Sequence, residues 1–105
     1  MIENYKGHYS YNKEVVNNWK SSAIGVYYCG FITSNGNLSV LYVGKGASDK
    51  GIRGRLLQHL DENKWPDVES FGYCLCSTPL EAESFEASEI KRLKPKYNIL
   101  GKEGY

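Results

Sequence analysis

The chain lacks any long apolar run: nothing in its 105 residues approaches the roughly 18 that a membrane-spanning helix needs. The first twenty residues are polar and hold no apolar stretch of the kind that drives secretion, so an intracellular, cytoplasmic protein is expected. Cysteine is scarce and odd in number. Cys29, Cys74 and Cys76 lie inside apolar stretches, which argues against a disulfide framework and for buried thiols. Cys74 and Cys76 share a strand face, but their spacing is shorter than that of a zinc pair and no second pair follows. There is no excess charge of either sign, the net value being +1, and no low-complexity tract or internal repeat. These absences leave a single globular domain too short for two cores.

What charge there is falls in blocks. Residues 45–59 sum to +3 through Lys45, Lys50, Arg53 and Arg55 against Asp49. Residues 61–89 sum to −7, and residues 91–105 return to +4. Clustered charge counts for more in phosphate binding than the total does, although solvated surface faces produce the same pattern.

The periodicities predict an α+β fold. Asn12 can cap a short helix over Lys13–Trp19. Two runs rich in β-branched and aromatic residues, Ile24–Ile32 and Leu38–Val43, flank the turn formers Thr33–Asn37 and read as a β-hairpin. Ile52, Leu56, Leu57 and Leu60 mark one face of a helix, and Val68–Cys76 reads as a third strand. Thr78, Pro79 and Glu81 announce a helix that runs to Leu93 and stops before Pro95. Tyr97–Leu100 reads as a short closing strand. The expected order is helix, hairpin, helix, strand, helix: a three-stranded, mainly antiparallel sheet flanked by helices.

On the last helix, a step of ~100° per residue places Ala82 about −40°, Ile90 about +40° and Leu93 about −20° from Glu86. Glu86 therefore lies within the stripe that faces the interior. A carboxylate there has to be neutralised, paired or bound to a cation, so a buried salt bridge and a functional carboxylate both remain open. Arg55 and His59, four residues apart, share one face of the preceding helix. They suit a phosphate clamp and a proton carrier, or simply an amphipathic surface. Lys45 stands in Gly44-Lys45-Gly46, which lacks the remaining parts of a Walker A loop.

Gly25-Val26-Tyr27 and Tyr42-Val43-Gly44 resemble the two short motifs that name the GIY-YIG nuclease superfamily. Lys45 follows the second motif, Arg55 and His59 match the pair on the first helix, and Glu86 stands nine residues before Pro95 in Lys94-Pro95-Lys96-Tyr97-Asn98, as the catalytic carboxylate does. The resemblance runs from Gly25 to Asn98, nearly three quarters of the chain. It divides the chain into an N-terminal polar segment with a short helix (1–24), a nuclease-like domain (25–100) and a C-terminal tail (101–105). The hairpin is longer than usual, with fourteen residues between Tyr27 and Tyr42, and Tyr28 beside Tyr27 leaves open which phenol faces the site.

The resemblance implies a divalent-metal-dependent endonuclease that hydrolyses DNA phosphodiester bonds. It implies one Mg²⁺ or Mn²⁺ per active site, with Glu86 as the metal ligand. Tyr27, Tyr42, Lys45, Arg55, His59 and Glu86 would be the catalytic set. Gly25, Gly44 and Asn98 would be structural, Asn98 pinning the closing segment. One such site cuts one strand, so a double-strand break would need a dimer or two successive events. A catalytically inactive nucleic-acid-binding module of the same fold is the alternative, and an interaction protein with Glu86 in a structural salt bridge is a further one.

Overall fold

The computed structural model describes residues 2–19, 22–63 and 65–102. In chain order the elements are β1 (Lys6–Ser10), α1 (Lys13–Asn18), β2 (Gly25–Ile32), β3 (Leu38–Gly46), α2 (Gly51–Glu62), β4 (Ser70–Leu75), α3 (Pro79–Leu93) and α4 (Lys96–Lys102). This is an α+β fold with a helix-flanked antiparallel sheet. Among the described residues no helix is long and apolar enough to cross a membrane.

The sheet has four strands, not the three expected, in the order β1-β4-β2-β3. The additional strand, β1, pairs antiparallel with β4, matching Tyr9 to Phe71 and Ser10 to Ser70. Its sequence, Lys6-Gly7-His8-Tyr9-Ser10, has no apolar alternation because all five residues are exposed. A strand held by backbone pairing at a sheet edge leaves little trace in the hydrophobic pattern. Tyr9 still packs tilted against Phe71 and stacked on Tyr73, with ring centroids 5.6 and 5.9 Å away.

The second correction concerns Tyr97–Leu100, which is helical rather than a closing strand. Pro95 has a fixed φ that suits a helix start, and its carbonyl accepts the Ile99 N–H at 3.1 Å. The edge of β3 is instead closed by a side chain. Asn98 Oδ1 accepts the Val43 N–H at 2.7 Å, and its Nδ2 donates to the Val43 carbonyl at 2.8 Å. One amide thus satisfies both outward-facing backbone groups that a further strand would have taken. Of the tail at 101–105, Gly101 and Lys102 belong to α4, and 103–105 lie outside the described residues.

Helix ends follow local chemistry. Asn12 caps α1 by accepting the Val15 N–H, and Thr78 caps α3 by accepting the Glu81 N–H. The Glu81 carboxylate reaches back to the Ser77 N–H at 2.8 Å. Both long helices end on left-handed residues, Asn63 (φ 50°) and Lys94 (φ 46°).

Side chains alternate across β2, so the core of this one domain falls into two clusters, one on each face of the sheet. Tyr27 and Cys29 join Val16, Ile52, Leu56, Val68, Phe71 and Tyr73 beneath α1 and α2. Val26 and Tyr28 join Val43, Cys74 and Ala82 on the other face, against Phe85, Ile90 and Leu93 of α3. All three thiols are free.

The second core contains a buried charge. Glu89, 8% exposed, accepts from Tyr28 Oη at 2.7 Å and from both Nε and Nη2 of Arg92 at 2.8 Å. The Arg92 hydrogen bonds hold its carboxyl below the usual 4.5, burial opposes them, and Tyr28 assists them. A folded value below the unfolded one stabilises the protein above pH 4.5, and that stability is lost as pH falls through the folded value. Replacing Glu89 by alanine should cost about 1–3 kcal/mol at pH 7, since the Tyr28 hydroxyl loses its acceptor while the exposed Arg92 returns to water. Thermal unfolding checks this: the loss should shrink in acid, and a variant equal to wild type at pH 7 would contradict it.

Candidate functional site

Antiparallel pairing of β2 with β3 sets Tyr27 opposite Gly44. The absent Cβ at Gly44 decides where the Tyr27 phenol goes. A Cβ there would stand 2.4 Å from Tyr27 Cζ and Oη and 2.8 Å from Tyr42 Cε2. Glycine at this position lets the tyrosine ring lie across the neighbouring strand, toward Tyr42, with ring centroids 6.2 Å apart. Gly25 is required for a similar reason, because a Cβ would sit 2.3 Å from the Cys74 carbonyl oxygen on β4.

α2 brings His59 under the two phenols. His59 is 4% exposed; its Nε2 is 2.8 Å from Tyr27 Oη, and its ring meets Tyr42 edge-on at 5.4 Å. Trp65, just beyond the helix, packs on both Tyr42 and His59 at 4.6 Å and stacks on Tyr97 at 5.9 Å. Arg55, one turn before His59, reaches the Tyr27 hydroxyl and the charge field of Tyr42, while its Nη1 donates to Gln58. Arg53, the other arginine of this helix, is turned away and donates from Nη2 to the Asn17 side chain and carbonyl.

Glu86 arrives from the opposite face of the sheet. α2 and α3 both pack against β3, the edge strand. Half-buried Glu86 lies within the influence of Lys45 on β3, Arg55 on α2 and Glu83 on its own helix. Tyr27, Tyr42 and His59 are in direct contact, Arg55 and Glu86 lie within electrostatic range of Tyr42, and Lys45 within that of Glu86, so two strands and two helices contribute to this cluster. Tyr28, the neighbouring phenol, points into the other core and belongs to Glu89.

Burial sets the protonation preferences. It drives Tyr27 well above the ordinary phenol value of 10, Tyr42 adds to the rise, and the Arg55 guanidinium opposes it. Tyr42 is raised by burial and by Glu86, again against Arg55. Glu86 is raised from 4.5, first by burial and then by Glu83, with Lys45 and Arg55 pulling the other way. Alongside it, α3 carries a second carboxylate of opposite fate. On the helical wheel Glu89 lies about −60° from Glu86, equally near the apolar stripe, so the buried ion pair is legible there once both positions are plotted. Trp65 has no comparable signal, since it sits in a connection with no periodicity.

Among the described residues no group of three or more His, Cys, Asp or Glu side chains is placed to hold a metal. This donor set does not fit zinc, and Cys74 is packed in the α3-side core beside the Tyr28 hydroxyl. A hard cation that keeps most of its waters needs few protein ligands, and Glu86 is the one carboxylate of the cluster. Beside Arg55 opens a cleft of about 940 Å³, lined also by Ser22, Ser48, Lys50, Arg53, Asp61 and Glu62 and by none of the other five cluster residues.

With this geometry established, comparison with known proteins finds one informative relative. UvrABC system protein C of Caldanaerobacter subterraneus subsp. tengcongensis is 35% identical over 71 residues, covering 62% of this chain and 12% of that protein. The chain thus spans about an eighth of the length of this curated relative. No family model matches the chain, and no solved structure matches it.

The raised Glu86 value means that the fold favours the neutral carboxyl, so this stabilising contribution is present below pH 4.5 and lost as pH rises through the folded value. Glu86→Gln should therefore melt higher than wild type at pH 7–8 and converge with it in acid; parallel curves would disprove a desolvated carboxylate. Gly44→Ala should lower stability by about 1–3 kcal/mol through overpacking against Tyr27, measured by urea unfolding, with an unchanged midpoint as the contrary result.

Proposed function

We propose that this protein is a divalent-metal-dependent endonuclease of the GIY-YIG type that hydrolyses DNA phosphodiester bonds. The observation that carries the reading is the convergence of Tyr27, Tyr42, Lys45, Arg55, His59 and Glu86 on the edge strand β3. Their sequence order and spacing support it, as does the similarity to a UvrABC system protein. Mg²⁺ or Mn²⁺, one per site, would be held by Glu86 and would supply charge to the scissile phosphate.

The chain's own residues account for the remaining work. Arg55 presents a planar fork of donors to the phosphate and offsets the negative charge that builds as the nucleophile adds. Lys45 adds a second positive charge beside Glu86. Tyr42, between Arg55 and Glu86 in the charge field, orients the attacking water. Tyr27 is buried and strongly disfavours the phenolate, so it acts as a base only if its own proton has somewhere to go. His59 Nε2, at 2.8 Å, is that place: Tyr27 takes the proton of water while passing its phenolic proton to the imidazole. DNA is the partner, and Lys50 with Ser22 and Ser48 in the cleft beside Arg55 suits contact with the neighbouring backbone. The protein works inside the cell, where its substrate is.

A plasmid-nicking assay tests this reading. Wild type should nick with Mg²⁺ and stop with EDTA, and Glu86→Ala should lose at least about 100-fold in rate while keeping DNA binding by gel shift. Mg²⁺ should also raise the melting temperature of wild type but not of the variant. Undiminished cutting by Glu86→Ala would sink the assignment, and binding without any cutting by wild type would favour an inactive binding module.

A further inference from the structure

His59 has two nitrogens, and the proposed proton path uses only one. Nε2 faces Tyr27 Oη at 2.8 Å. Nδ1 is buried and faces Glu62 Oε1 at 3.7 Å, from one turn further along α2. We propose that Glu62 is a positioning residue that holds His59 as the Nδ1–H tautomer and stabilises the imidazolium formed when Tyr27 gives up its proton. The inference rests on the nuclease reading above and names the group that makes its proton path work.

The tautomer argument is the first part. For Nε2 to accept the Tyr27 proton it must carry none, so the neutral ring must carry its hydrogen on Nδ1. A carboxylate favours a hydrogen directed toward it and disfavours a lone pair. Glu62 is the acidic residue placed against Nδ1, and the 3.7 Å separation is one at which charge acts without a direct hydrogen bond.

Among the described residues, the ring's other contacts do not supply this. Tyr27 from β2 occupies Nε2, Tyr42 from β3 meets the ring edge-on, and Trp65 covers it. Arg55, on the same helix, is engaged with the phenols and Gln58, and its positive charge opposes an imidazolium. Glu62 is therefore the group here that compensates the charge His59 would gain. The step balances. Water's oxygen bonds to phosphorus as the bond to the leaving oxygen breaks; water's proton goes to Tyr27 Oη, and the Tyr27 proton goes to Nε2. The imidazolium then returns a proton through Tyr27 to solvent or to the leaving oxygen.

The placement of Glu62 explains its modest exposure. Its side chain is 37% exposed at the last turn of α2, whereas that of His59 is 5%.

Long-range ¹H–¹⁵N spectra of the imidazole, recorded through a pH titration, test the proposal without relying on catalysis. Wild type should show the Nδ1–H tautomer of His59. In Glu62→Gln its titration midpoint should move down by roughly half a pH unit, the size expected of a part-exposed pair. Asp61→Asn, the same charge change one residue away and paired with Lys13, should leave it in place. In the nicking assay Glu62→Gln should lose about tenfold in kcat with KM unchanged, and the acidic limb of its pH–rate profile should move to lower pH. An Nε2–H tautomer in wild type, or a midpoint unmoved in Glu62→Gln, overturns the role of Glu62 even if the enzyme cuts DNA. A wild type that shows the tautomer and the shift but does not cut overturns the nuclease reading instead.

Discussion

The pairing of Tyr27 with Gly44 is the contact on which the rest of the site depends. Side chains of a strand alternate between faces, so a slip of one residue between β2 and β3 would send Tyr27 into the α3-side core and Tyr28 into the site. The glycine across the ladder is the one residue that leaves room for the Tyr27 ring beside Tyr42. Once that phenol is fixed, His59 is positioned by the hydrogen bond it makes with it, and Trp65 by packing on His59 and Tyr42. The two adjacent tyrosines thus serve two unrelated purposes, one on each face of a single strand.

The same division of labour appears in the carboxylates of α3. Glu86 and Glu89 are three residues apart and both lie close to the apolar stripe. Glu89 is given two donors by Arg92 and one by Tyr28, and its preference for the ionised form follows. Glu86 has positive charge nearby, but burial prevails over it and its pKa is raised. A paired carboxylate contributes to stability. One held against its preference is kept at some cost to the fold, a trade common at functional sites.

Position on the sheet explains how six side chains from four elements meet. β3 is an edge strand with a helix against each of its faces, so α2 and α3 both end their packing at the same margin. Nothing further adds to the sheet there because Asn98 has already taken the free backbone groups of Val43.

Much of this was readable in the residues. The α1, α2 and α3 helices, the long hairpin and the caps at Asn12 and Thr78 are local matters of period and hydrogen bonding, and so is the inward direction of Glu86. The spacing of Tyr27, Tyr42, Arg55, His59 and Glu86 also carried a family resemblance that no single position would have. What the sequence could not express is anything decided between elements. β1 is exposed along its whole length and leaves no hydrophobic period, so only its pairing with β4 reveals it. Residues 97–100 alternate as a strand would, yet Pro95 and the Asn98–Val43 bonds make them a helix. Whether Tyr27 or Tyr28 faces His59, and that Glu62 lies against Nδ1, depend on register and on packing across the sheet. Local sequence determined the elements and their faces; tertiary contact alone decided which faces meet, because that choice is made by groups far apart in the chain.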